Sequence, residues 1–131
     1  MRSIDPPRER AAPRRYRGVD LAGQPVEGEF VGVTLVVAIK EDCVGCRSVL
    51  ESPANAFGDV ATLLVAARPS AEPWWTTTNH HVIISQELLV DLDVRFPPFY
   101  VLIDPDRERV ISEGVIFGPE QVREELAGYL M

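Results

Sequence analysis

Residues Thr34-Leu35-Val36-Val37-Ala38-Ile39 form an almost unbroken apolar run rich in β-branched side chains. Neighbouring residues of a strand point to opposite faces, so a run that is apolar on both faces needs cover on both. Such a strand belongs at the centre of a sheet with helices packed against each side. The run stops at Lys40-Glu41-Asp42, and Cys43-Val44-Gly45-Cys46 follows at once. A chain of 131 residues can bury one sizeable core of this kind.

The rest of the chain supplies the partners such a strand requires. Val60 to Ala67 is a second apolar run, and Phe99 to Ile103 a third, preceded by Pro97-Pro98. Arg109 to Ile116 predicts a fourth strand, with Gly114 as its weak spot or bulge. Between them lie helical segments. Arg47 to Glu51 predicts a helix with Val49 and Leu50 inward, stopped or kinked by Pro53. Gln86 to Asp93 predicts another, with Ser85 as N-cap and Leu88, Leu89 and Leu92 inward. A last helix starts at Gly118-Pro119-Glu120 and repeats Val122, Leu126 and Leu130 on one face. Turn residues from Asp20 to Pro25 predict a small hairpin across Gly18 to Val26. Arg68 to Asn79 is expected as a polar loop carrying Trp74 and Trp75, and His80 to Ile84 as a short extended piece. Residues 1–17, broken by Pro6, Pro7 and Pro13, are expected to form an irregular basic tail ahead of a domain over 18–131. Strands interleaved with helices make this an α/β chain with a mixed sheet.

The net charge of -7 is unevenly spread. Residues 1–18 hold six arginines against Asp5 and Glu9, so the remainder is strongly acidic. That balance argues against nucleic-acid binding by the folded part. The tail could touch a phosphate or an anionic lipid surface, though its composition suits a solvated leader. The longest apolar run, Phe30 to Ile39, is half the ~20 residues a membrane span needs. The basic start is not followed by an apolar stretch. The expectation is a cytoplasmic chain, or an extracytoplasmic domain trimmed from a membrane-anchored one.

Two cysteines three positions apart are a poor staple, because closing so short a loop removes little unfolded-state entropy. They suit chemistry better. A helix start offers free backbone N–H groups and a positive dipole end, both of which favour a thiolate. Disulfide exchange needs an attacking thiolate and a second thiol to resolve the mixed disulfide. Cys43 is placed to attack and Cys46 to resolve, while Gly45 permits close backbone approach. Glu41 and Asp42 oppose the thiolate and predict a sluggish nucleophile; Lys40 and Arg47 offset them in part. A zinc or copper site is the alternative use of the pair. The only histidines, His80 and His81, are adjacent and would face opposite ways in an extended segment, so they are expected as exposed loop residues. Trp74 and Trp75 are either a partner contact or a cap on the core.

From about Val19 to Leu130 the sequence resembles the thioredoxin superfamily, in particular its TlpA-like and MauD-like thiol–disulfide branch. The resemblance rests on T-L-V-V-A-I-K-E-D-C-V-G-C, on L-D-V-R-F-P-P-F-Y-V-L-I-D-P-D, and on Gly114 with the closing helix. It implies a thioredoxin-like fold, a central mixed β-sheet flanked by helices with an N-terminal β-hairpin extension. It implies a thiol–disulfide oxidoreductase in which Cys43 is the nucleophile and Cys46 the resolving thiol. Pro98 falls on the family's cis-proline position, so the Pro97-Pro98 bond would be cis. Pro97, with Val44 and Gly45, would then meet a substrate chain. No metal and no organic cofactor are implied. The implied partners are protein thiol or disulfide substrates and an electron donor or acceptor protein, met by a monomer.

Some positions depart from the family. Asp42 stands where an aromatic, usually Trp, precedes the first cysteine. Val37 stands where thioredoxin buries an acidic group, and Val44-Gly45 lacks thioredoxin's proline. These departures favour one rival, a binding module with a redox-inert cysteine pair. A metal chaperone is a second rival, although the copper-binding relatives resemble C-x-x-x-C with a distant histidine. A peroxidase is disfavoured because the threonine-rich context of a peroxidatic cysteine is absent.

Overall fold

The computed structural model describes residues 10–94 and 96–129. Its strands are β1 (Arg15–Val19), β2 (Pro25–Glu29), β3 (Thr34–Ile39), β4 (Ala61–Ala66), β5 (Val82–Ile84), β6 (Phe99–Asp104) and β7 (Arg109–Val115). Its helices are α1 (Val44–Glu51), α2 (Pro73–Thr76), α3 (Gln86–Asp91) and α4 (Pro119–Leu126). The strands form one sheet in the order β2-β1-β5-β4-β3-β6-β7. β3 runs parallel to β4, and β4 to β5, whereas β6 and β7 return antiparallel.

All six residues of β3 are buried, as the apolar run requires. Leu35, Val37 and Ile39 enter one core with Leu50 of α1, Trp75 of α2 and Leu126 of α4. Val36 and Ala38 enter the other, against Leu88 and Leu89 of α3 and Leu92 just beyond it. The period-two alternation of a strand thus divides the apolar side chains between two layers. The helix ends follow local chemistry. Ser85 caps α3 by accepting from the Leu88 N–H, and Pro119 opens α4 where a missing N–H costs nothing. α1 stops at Glu51, with Ser52 rather than Pro53 as its cap.

The hairpin forms around Asp20, whose Oδ1 accepts from the N–H groups of Ala22 and Gln24. It joins the main sheet through Val19 opposite Ile84. Its first strand begins at Arg15, earlier than expected, because the ring of Tyr16 packs on Phe30 at 5.0 Å. Residues 10–14 are also held. Ala11 bridges Arg109, and the Arg10 guanidinium pairs with Glu113 at 2.6 Å. The described part of the expected irregular tail is therefore fixed to the sheet edge, while residues 1–9 lie outside the described residues. So does Leu130 of the final apolar face.

Other expectations shift in detail. The expected polar loop from Arg68 to Asn79 contains the one-turn helix α2, with Pro73 at its first position. Trp75 is fully buried and Trp74 only partly, so the pair divides between core and surface. His80 is buried, not exposed: its ring nitrogen lies 3.0 Å from Ser52 Oγ at the end of α1. The register break in the β6–β7 ladder lies between Leu102 and Ile103, not at Gly114. Gly114 instead makes room for the ring of Tyr100, whose Cε2 would stand 3.2 Å from an added Cβ.

Tyr100 is buried opposite Val37, and its hydroxyl donates to Glu125 at 2.7 Å and lies 3.2 Å from Ser112 Oγ. Burial first, then the bond to Glu125, pushes its pKa up from 10.0 to about 12. The folded state therefore keeps a proton that the unfolded state loses, and Tyr100 withdraws stability as pH rises from 10 toward 12. Tyr100→Phe should cost about 1–2 kcal/mol in urea unfolding at neutral pH. The same variant should lose less stability than the parent between pH 10 and 12; equal losses would show that Tyr100 does not carry the effect.

Candidate active site

Strand β3 ends at Ile39, and after four residues, Lys40 to Cys43, the chain enters α1. Asp42 makes the corner with φ 55, a left-handed conformation that aspartate enters more readily than most residues. Cys43 then sits at the N-cap of α1 in an extended conformation. Its Sγ accepts from the Cys46 N–H at 3.2 Å, taking up one of the free donors of the first helical turn. The two sulfurs are joined as a disulfide, with the Cα atoms 5.2 Å apart.

The two sulfurs differ in access. Cys46 has no exposed surface and lies in the core with Val37, Val49 and Tyr100. Its Sγ accepts from the Lys40 N–H at 3.4 Å. Cys43 is partly exposed at the rim of that core. The dipeptide between them faces outward, and Val44 is 90% exposed.

The Pro97–Pro98 peptide is cis and stands beside the pair. A Cβ on Gly45 would lie 3.0 Å from Pro98 Cγ, so glycine is what allows α1 and this segment to touch. The Ile116 N–H donates to the Pro98 carbonyl at 3.0 Å, which ties the end of β7 to the same place. Cys43, Val44, Gly45, Cys46, Pro97 and Pro98, singled out from the sequence, thus meet at one end of the sheet. That end is also apolar at its surface: Phe96 is 72% and Phe117 87% exposed.

The sequence reading missed the contribution of α2. Glu72, just before α2, accepts through Oε1 from the Trp75 indole N–H at 3.0 Å and through Oε2 from the Asp42 N–H at 3.4 Å. Trp74 lies under the Arg47 guanidinium, 4.1 Å from ring centroid to Cζ, while Arg47 Nε pairs with Glu51 at 3.1 Å. Arg47 is therefore engaged by α2 and by its own helix. No pattern within residues 68–79 announces these contacts, since both partners lie about thirty residues earlier.

Neither histidine stands with the cysteines. His80 is bound to Ser52 and packs 6.1 Å from the Phe57 ring, and His81 is exposed. Among the described residues no three His, Cys, Asp or Glu side chains group as a metal site requires. Among them, too, no helix is long and apolar enough to cross a membrane.

No protein-family model matches the chain, and no curated protein does. Solved structures do. The thioredoxin domain of thiol-disulfide oxidoreductase BVU-2223 from Bacteroides vulgatus superposes with a TM-score of 0.66 at 18% identity, over 92% of this chain and 96% of that one. StoA from Bacillus subtilis gives 0.65 at 14% identity, over 87% and 97%. A thiol:disulfide interchange protein from a Bacteroides species gives 0.63 at 17% identity, over 91% and 88%. The chain has the thioredoxin-like fold. The mixed seven-stranded sheet with helices on both faces and the hairpin on its edge is the architecture expected for it.

Burial lowers the pKa of His80 from 6.5, and a hydrogen bond to the Ser52 backbone opposes the shift only in part. The unfolded chain therefore binds a proton that the folded chain resists, and stability from His80 is complete above pH 6.5 and lost as pH falls below it. Urea midpoints measured between pH 7.5 and 5 should fall more for the parent than for His80→Asn. Parallel curves would contradict this assignment.

Proposed function

We propose that the chain is a thiol–disulfide oxidoreductase acting on protein substrates, with Cys43 as nucleophile and Cys46 as resolving thiol. The single observation that carries this reading is the asymmetry of the pair at the start of α1: Cys43 is reachable and Cys46 is sealed in the core. The fold it shares with proteins described as thiol–disulfide oxidoreductases and interchange proteins supports it.

In the reductive direction the Cys43 thiolate attacks one sulfur of a partner disulfide. A Cys43–partner bond forms, the partner S–S bond breaks, and one partner thiolate leaves. Cys46, once deprotonated, attacks Cys43 Sγ, releasing the second partner thiolate and closing the Cys43–Cys46 disulfide. Two electrons pass to the partner, and the reverse sequence oxidises it. The first-turn N–H groups favour the thiolate on Cys43. The Pro97 backbone, beside Gly45 and Val44, would hold an extended substrate segment. Val44, Phe96 and Phe117 suit apolar residues flanking the substrate cysteine. No metal or organic cofactor takes part, and the chain works as a monomer.

Reduction of a model protein disulfide should be abolished by Cys43→Ser. Cys46→Ser should accumulate a mixed disulfide visible on non-reducing gels. Activity retained in Cys43→Ser, or absent from the parent in both directions, would refute the assignment. A reduction potential well below about -300 mV would favour the binding-module rival with an inert bridge. Phe117→Ser should raise KM severalfold for a substrate with apolar residues beside its cysteine while leaving kcat unchanged; a fall in kcat alone would place Phe117 outside the substrate contact.

A further inference from the structure

α2 is a single turn that sends Trp75 into the core and stands against the start of α1. Glu72 occupies its N-cap position, yet makes no side-chain cap to its own helix. A carboxylate there ordinarily accepts from the second or third helical N–H. This one instead spans away: Oε1 is held by the indole of the fully buried Trp75, and Oε2 reaches the peptide N–H of Asp42. Asp42 is the left-handed corner that delivers Cys43.

We infer that Glu72 is a positioning residue for the dithiol pair: it fixes the Asp42 corner, and its charge, added to Glu41 and Asp42, holds Cys43 back from the thiolate. This rests on the reading of Cys43 as the attacking thiol. Among the described residues, the charged groups flanking Cys43 are Lys40, Glu41 and Asp42 before it, Arg47 on α1 and Glu72 from α2; Phe96 to Phe99 add none. Arg47, the cation on the same helix, is drawn to Trp74 and Glu51. α2 therefore acts twice in one direction, placing an anion beside the corner and an aromatic face under the cation. Both make Cys43 a slower nucleophile at neutral pH.

The test is the pH profile of iodoacetamide alkylation on the reduced Cys46→Ser protein, in which Cys43 is the only thiol. It requires no turnover, so it stands apart from the activity assays above. Glu72→Gln keeps an oxygen for the Trp75 indole, removes the charge, and puts an amide NH2 where Oε2 accepted from the Asp42 N–H. Its midpoint should fall by about half a unit to one unit, as expected for a unit charge several ångströms away in a partly wet site. The alkylation rate at pH 7 should rise about two- to fourfold, because lower basicity partly offsets the larger thiolate fraction. At ~1 M salt, where screening reaches about 3 Å, the gap between parent and variant should narrow. An unchanged midpoint in a folded Glu72→Gln protein, or a gap indifferent to salt, overturns the inference. Should that variant not fold, Glu72→Ala is read by the same criteria. The parent alone must also show a midpoint that falls with salt; a midpoint that stays or rises overturns the inference equally.

Discussion

Strand β3 has no solvent on either face, and everything else in the molecule is arranged around that fact. Six apolar residues in a row can be stable only if helices lie on both sides, and two cores form because of it. The same constraint places the chemistry. A strand covered on both faces is open only at its ends, so whatever follows Ile39 emerges at a sheet edge between α1 and the start of β6. The cysteine pair is reachable because it stands there. Cys46 is sealed because α1 must turn one face straight back onto β3.

This explains what was legible beforehand. β3, β4 and β6 announced themselves by apolar runs too long for anything but buried strands. Ser85 and Pro119 marked helix starts because capping is local chemistry, decided within four residues. The pairing of Gly45 with Pro98 was accessible only through the resemblance, since no local rule brings residues so far apart together. What escaped has a common cause. α2 is a single turn, too short to show a period, and its two tryptophans look identical in sequence although one is core and one is surface. His80 looked like a loop residue because its burial depends on Ser52 and Phe57, which the strand β4 crossover brings back over it. Arg15-Tyr16-Arg17 looked like tail because its charges hide one aromatic that packs on Phe30.

The site also shows how a fold's geometry and its tuning can be separated. The contact of Gly45 with Pro98, the cap at Cys43 and the buried Cys46 are backbone and packing features. The groups inferred to set reactivity are charged side chains, Asp42 at the corner and Glu72 ahead of α2, not the core strand, where Val37 packs among hydrocarbon. A chain can therefore keep the pair in place while its rate is reset by charged side chains at the rim of the site.

That separation bears on how Cys46 is activated. A thiol in apolar surroundings resists ionisation, and Val37 offers it no base. The Lys40 N–H donates to Cys46 Sγ and favours a charged sulfur, but it cannot accept a proton. On the proposed mechanism, and with no base among the described core neighbours of Cys46, the proton would leave to a group that arrives with the reaction. The first exchange supplies one, because it releases a partner thiolate at Cys43, and that thiolate is a base formed next to the buried thiol. Resolution would then be fast only while the partner remains docked against Pro97 and Pro98. In a pair whose described core neighbours include no base, holding the substrate and completing the exchange would become one requirement, met by the same surface.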